Sequence, residues 1–298
     1  MNLYQLLGKV DNVSDFVTLD DFSDFAKNFL EFIYNSGMQA DIVSRNEPNY
    51  HFYQYKEEGH YCITRPINSD LFIDFLDFDE KEKEFKYALK HIKEIKDEHS
   101  LRDNINHYIY TCQQCIGAAL DAFNNPNKAR KRNGLFFEIL VRAVIEGAGV
   151  VVESGDEKIP LGANEPPMKF QHDVIIKNEQ EDIKAIGQLK TSSKDRLDKI
   201  FLDKYMYSKL TDLDIPYFAI FLNDVQRTKT KQQNHTTQYG ISSTFLPGHF
   251  NAYRVALNPL DGVYYFDLSP SVKTSENLSS YIKSFDYFLV EDLWNFLK

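Results

Sequence analysis

Between Phe170 and Thr191 two apolar, β-branched runs flank a polar turn, and this pattern constrains the fold more tightly than any other stretch. Phe170-Gln171-His172-Asp173-Val174-Ile175-Ile176 is followed by Lys177 to Asp182, then by Ile183-Lys184-Ala185-Ile186-Gly187-Gln188-Leu189-Lys190-Thr191. Such a pair of runs predicts a β-hairpin. Side chains alternate along a strand, so Gln188 and Lys190 share one face while Leu189 turns toward the core. Asp173 is expected to meet them across the hairpin.

An acid, an amide and a lysine brought together in this way suit phosphodiester chemistry. A hard cation held by oxygen ligands binds a phosphate oxygen and lowers the pKa of a water. A neighbouring lysine orients that water and offsets the charge of the pentacovalent transition state. The arrangement resembles the PD-(D/E)xK nuclease superfamily, with Asp173 at the first acidic position and Gln188-Leu189-Lys190 at the (D/E)xK tripeptide. His172 replaces the proline of that pattern, which carries no chemistry. Gln188 replaces a carboxylate; its amide oxygen ligates a cation without bringing charge. The resemblance points to two displaced acids, Glu138 on the helix before the core and Asp203 on the helix after it. Gln188, Glu138 and Asp203 are the alternatives for the second position.

The residues that follow extend the likeness. Thr191-Ser192-Ser193-Lys194-Asp195-Arg196 leads into a helix over 197–210, with Leu197, Ile200, Phe201 and Met206 on its apolar face and Ser193 as N-cap. Ile215 to Asn223 predicts a buried central strand. The run from Asp173 to Arg227 is similar to a type II restriction endonuclease core. That resemblance implies an α/β fold, restriction-endonuclease-like, with a mixed β-sheet core flanked by helices. It also implies Mg²⁺ held by Asp173, the Leu189 carbonyl and Gln188 or a displaced acid, with Lys190 positioning the attacking water. Double-stranded DNA is the implied substrate, cut to leave 5′-phosphate ends. A palindromic target favours a homodimer, because a two-fold pair presents the same site to both strands. No P-loop or dinucleotide fingerprint occurs, so no nucleotide cofactor is expected.

A formal charge of −10 appears unsuited to DNA, but the excess acid is confined to one part of the chain. Residues 1–127 hold 12 Lys and Arg against 22 Asp and Glu, whereas residues 128–298 hold 22 of each. Local clusters of positive charge matter more than the total. One cluster, Lys128, Arg130, Lys131, Arg132 and Asn133, precedes a helix expected over 135–147. Another, Arg227, Lys229, Lys231, Gln232, Gln233, Asn234 and His235, lies in what reads as a long polar loop. With Ser192, Ser193, Lys194 and Arg196 they are the candidate DNA-binding residues, since such side chains grip phosphates and read base edges.

Asn124-Asn125-Pro126-Asn127 is a turn-like break, and it divides an acidic, mostly helical region (1–127) from a nuclease core with recognition loops (128–298). The first region suits dimerisation or DNA flanking; helices are expected over 16–34, 81–96 and 102–124 and a strand over 50–55. Downstream, strands are expected over 241–245, 253–257 and 263–268, with a turn at Leu246 to His249 and a closing helix over 281–297. The CxxC of Cys112 and Cys115 has no second pair to complete a zinc site and falls at helical core spacing. Three cysteines cannot all pair internally, and no run of about 18 apolar residues or signal-peptide pattern occurs, which predicts a cytoplasmic protein away from membranes.

Overall fold

The structure is a computed structural model that describes residues 1–36, 39–40, 49–57, 60–231 and 237–298. In chain order it holds α1 (Leu3–Asp11), α2 (Leu19–Ser36), β1 (Gln39–Ala40), β2 (Tyr50–Glu57), β3 (His60–Ile63), β4 (Ile67–Asn68) and α3 (Phe78–Lys90). Helices α4 (His99–Leu120) and α5 (Pro126–Gly147) lead to β5 (Val151–Ile159), β6 (Met168–Lys177), β7 (Ile183–Lys190), α6 (Leu197–Thr211) and β8 (Tyr217–Phe221). There follow β9 (Val225–Lys231), β10 (Thr237–Ser243), α7 (Pro247–Ala256), β11 (Gly262–Tyr265), α8 (Pro270–Lys273), α9 (Glu276–Ser279) and β12 (Ile282–Ser284). A helical end comprises α10 (Phe285–Tyr287), a π-helical turn (Phe288–Asp292) and α11 (Leu293–Phe296).

Two compact units emerge, the first formed by Met1–Ala88, Asp103–Ala143 and Val225–Thr244, the second by Leu89–Arg102, Val144–Asp224 and Phe245–Lys298. The break expected after residue 127 falls inside the first unit, where Pro126 opens α5. Asn125 Oδ1 accepts the N–H groups of Asn127 and Lys128, and proline at the first helical position needs no partner for a missing N–H. The basic cluster expected to precede a helix therefore lies in the first turns of α5.

The first unit is built on helices. Phe16 meets Phe22, Phe25 and Phe136 edge-on at 5.1, 5.7 and 4.7 Å between ring centroids. Helix α4 is buried almost continuously from Asn104 to Leu120. Cys112 and Cys115 are free and fully buried, and burial pushes both thiols up, so the CxxC is core packing. Two of the buried polar residues of α4 tie it to its surroundings: Thr111 Oγ1 accepts the Ile73 N–H at 2.9 Å, and Gln113 Nε2 donates to Asn133 O and Oδ1 at 3.1 Å each. The segment after β8, expected to be a loop, is strand β9, paired antiparallel with β10 so that Lys229 stands opposite Tyr239. The Arg227 guanidinium and the Lys229 ammonium lie 5.5 and 5.6 Å from the Tyr239 ring, a cross-strand attraction that periodicity alone does not show.

The second unit contains a six-stranded sheet in the order β12-β11-β8-β7-β6-β5. β5, β6 and β7 run antiparallel, whereas β7 to β8, β8 to β11 and β11 to β12 are parallel. A parallel neighbour needs a crossover, and α6 supplies it between β7 and β8. One face of the sheet packs Ile186, Tyr217, Ala219 and Phe221 against Ile200 and Phe201 of α6 and Phe250 of α7. On β7 and β8, Gly187 and Phe218 point the other way, and the Phe218 ring packs on Phe288 and Phe296 at 4.9 and 5.8 Å. The α/β fold with a mixed sheet and flanking helices is the one expected.

Two expectations downstream are overturned. The turn and strand expected over 246–257 form helix α7, with Pro247 in its first turn. Phe250 and Tyr253, three residues apart, both reach Phe201, so the period is that of a helix. The closing helix expected over 281–297 starts later, because Ile282–Ser284 extends the sheet beside β11.

Candidate active site

The hairpin of β6 and β7 forms as expected, with Val174 opposite Gly187 and Ile176 opposite Ala185. A β-bulge bends β6 where the site lies. Between the pairs Glu153 with Ile175 and Gly155 with His172, two β6 residues, Asp173 and Val174, stand against the single β5 residue Ser154. A bulge re-aims the side chains beside it. Asp173 is 5% exposed, its Oδ2 accepts the Leu189 N–H at 2.8 Å, and the same oxygen receives Lys190 Nζ. The lysine is thus drawn onto the acid across the hairpin, with part of its side chain open to solvent.

Gln188 sits between them in sequence and is 3% exposed. Its Nε2 donates to the Gln171 main-chain oxygen at 2.9 Å and to Tyr217 Oη at 3.1 Å. A carbonyl can only accept, so the nitrogen must face Gln171, which leaves Oε1 as the acceptor end of the amide. His172 is buried between the rings of Phe170, Tyr207 and Tyr217. Burial lowers its pKa and Glu157, 3.5 Å from Nε2, opposes the shift; the net direction is down, which favours the neutral ring. Tyr207 Oη donates to Glu157 Oε2 at 3.0 Å.

Of the two displaced acids, Asp203 lies in this unit on α6, where Lys199 donates to its Oδ2 at 2.9 Å. Asp203 and Asp173 both act electrostatically on the Tyr217 hydroxyl and on His172. Glu138 lies on α5 in the first unit. Among the described residues, no group of three or more His, Cys, Asp or Glu side chains is placed to hold a metal ion. The Asp173 carboxylate, the Leu189 carbonyl and the Gln188 amide are all hard oxygen donors, which fits Mg²⁺ in kind with a single formal charge among them.

Ser192 and Ser193 are engaged by a carboxylate the sequence reading had not singled out. Asp224 Oδ1 accepts from Ser192 Oγ and Ser193 N at 2.8 Å each, and Oδ2 accepts from Ser193 Oγ at 2.6 Å and Tyr265 Oη at 2.7 Å. Ser193 therefore does not cap α6 with its side chain; its main-chain oxygen accepts from Arg196 and Leu197 instead. Lys194 and Arg196 are exposed on either side of Asp195, whose φ of 55° is left-handed.

The other candidate DNA-binding residues lie in the first unit. Lys128 and Arg132 pair with Asp11 at 2.5 and 3.2 Å, Asn133 is buried against Arg65 and Gln113, and Arg130 and Lys131 are exposed. Arg227 donates to the main-chain oxygens of Ile63 and Thr64, and Lys229 is exposed on β9. Lys231 ends β9; Gln232, Gln233, Asn234 and His235 lie outside the described residues. Tyr217, Glu157 and Asp224 were the residues missed. The polar tail of an apolar strand at Asn223-Asp224 was the one local signal for Asp224, and nothing local marks Tyr217 or Glu157.

The mixed sheet with its flanking helices has the fold of a type II restriction endonuclease. The chain matches the crystal structure of the type IIP restriction endonuclease Kpn2I with a TM-score of 0.72 and 18% identity, covering 98% of this chain and 97% of that one. A much looser likeness links it to the restriction endonuclease PspGI in its substrate DNA complex, with a TM-score of 0.42, 14% identity and coverage of 74% and 90%. No protein-family model and no curated protein matches the sequence.

Proposed function

We propose that this protein is a type II restriction endonuclease, a Mg²⁺-dependent enzyme that hydrolyses double-stranded DNA at a specific sequence and leaves 5′-phosphate ends. The observation that carries this reading is the convergence of Lys190 and the Leu189 N–H on one Asp173 oxygen, beside Gln188, in a sheet of restriction endonuclease fold. Asp173, the Leu189 carbonyl and the Gln188 amide oxygen would hold the cation, with Asp203 or Glu138 adding the missing charge. When bound, the cation polarises the phosphate and activates a water. Lys190, partly open to solvent, orients that water and offsets the charge that develops on the phosphate.

Arg130, Lys131, Lys194, Arg196 and Lys229 are exposed cations suited to phosphate contacts, and the 227–235 segment is the proposed reader of base edges. The region 1–127 would serve dimerisation or DNA flanking, with a homodimer presenting one site to each strand. No helix among the described residues is long and apolar enough to cross a membrane, and the free cysteines suit the reducing cytoplasm in which we place the protein.

Incubation with unmethylated plasmid DNA and Mg²⁺, alongside EDTA and Asp173→Ala controls, tests the reading. Discrete bands lost in both controls support it, and mapping of the ends reports the site and the terminal phosphate. Nicked circles or scattered cuts would identify a different nuclease on this fold. A gel shift without any cleavage would identify a DNA-binding protein whose site has decayed at Gln188.

A further inference from the structure

Gln188 stands where the PD-(D/E)xK pattern has a carboxylate, and it is held by a side chain from another strand. We propose that Tyr217 is a positioning residue which, together with the Gln171 carbonyl, latches the Gln188 amide so that its oxygen rather than its nitrogen faces the cation beside Asp173. This inference rests on the nuclease reading above and deepens it.

A carboxylate has two equivalent oxygens and presents one to a cation whichever way it rotates. An amide has one oxygen and one NH₂ group, so a half-turn replaces a ligand with a pair of donors that repel a cation. A site with glutamine in this position therefore needs a device to choose the rotamer. The structure supplies two acceptors for the same nitrogen, one of them a main-chain carbonyl in β6 and the other a phenol 3.1 Å away.

The phenol is itself firmly placed. Tyr217 is 1% exposed and opens β8, in parallel register with Ile186 on β7, so its ring reaches along the face that carries Gln188. Its N–H donates to Asp261 Oδ2 at 2.6 Å and its main-chain oxygen accepts the Asp261 N–H at 2.9 Å. Lys204 Nζ donates to the same Asp261 oxygen at 2.7 Å. Supports of this kind, one shell away from a ligand, set metal affinity by fixing the ligand's orientation.

The test uses four full-length proteins: wild type, Tyr217→Phe, Gln188→Glu and the double variant. Ca²⁺ is titrated calorimetrically as the probe cation, and the Mg²⁺ concentration at half-maximal plasmid cleavage is measured in parallel. Tyr217→Phe should weaken Ca²⁺ binding and raise the Mg²⁺ requirement by about fivefold or more, the worth of one orienting hydrogen bond. In the Gln188→Glu background the same change should alter Ca²⁺ affinity by less than about twofold, because a carboxylate needs no latch. Equal losses in both backgrounds would mark Tyr217 as ordinary packing and overturn the latch, as would Ca²⁺ affinity in Tyr217→Phe equal to wild type. Wild-type protein that neither binds Ca²⁺ nor cuts DNA would remove the nuclease reading, and the latch with it. A general loss of stability would appear in both backgrounds, so the comparison accounts for it.

Discussion

Asp173 and Leu189 are joined by a hydrogen bond from the main chain of one strand to the side chain of the next, at 2.8 Å. The acid is thereby tied to the strand that carries Lys190, and its position cannot drift independently of the lysine. Asp173→Asn should abolish Mg²⁺-dependent cleavage, and Lys190→Ala should reduce it by about a hundredfold or more, the scale of removing one preorganised group at a developing charge. Single-turnover cleavage alongside gel shifts is the measurement. Full-rate cutting by Lys190→Ala would sink the proposed role.

Gly187 permits the close approach of Phe218. A Cβ built at Gly187 would come within 2.4 Å of two ring atoms of Phe218, and that ring is itself packed on Phe288 and Phe296. Gly187→Ala therefore overpacks the sheet face opposite the site and should cost about 1–3 kcal/mol. Calorimetric unfolding should show a lower melting temperature; an unchanged one would mean that the ring yields freely.

Asp224 anchors the segment between β7 and α6 through Ser192 and Ser193, and it satisfies the buried Tyr265 hydroxyl. Asp224→Ala leaves several buried donors unmatched at about 1–3 kcal/mol each. The variant should melt earlier and be cut faster by protease around residues 191–196. Wild-type resistance there would show that the segment is held by other means.

His107 sets a pH dependence. Its pKa is lowered, chiefly by burial, with Asp103 opposing. The unfolded chain takes up the proton first, at about pH 6.5. The stability tied to neutral His107 is therefore complete above that pH, falls as pH drops through and below it, and levels off under the folded value. Melting temperatures between pH 7.5 and 5.5 should fall more steeply for wild type than for His107→Gln; identical slopes would contradict this.

Arg130, Lys131 and Lys229 are exposed cations on the proposed DNA-binding elements. If each meets one phosphate, every change to Ala should lower the slope of log affinity against log salt by about 0.9. Binding in Ca²⁺ across a salt series measures it. A slope equal to wild type in all three would place the DNA elsewhere.

The residues that carry the candidate site were legible because they belong to short, regular segments. Alternation located Asp173, Gln188, Leu189 and Lys190 on a hairpin, and apolar spacing located α6 and β8. Where local signals competed, the reading failed. Tyr253 to Leu257 is compatible with a strand until Phe201 is seen to take Phe250 and Tyr253 together. Arg227 to Lys231 reads as a polar loop until Tyr239 is set across from it. Ser193 looks like an N-cap until Asp224 claims its hydroxyl.

The hairpin and the facing of its polar residues were legible in the chain, since periods of two and of about 3.6 are properties of neighbouring residues, and the class of fold followed from the resemblance that those residues carry. The bulge that sets Asp173 and Val174 against Ser154, the Asp224 anchor and the latch on Gln188 were decided only by the tertiary structure. Gln188 and Tyr217 meet because parallel pairing brings β8 beside β7 after a helical crossover, and no local pattern encodes which side chains such a crossover will bring together.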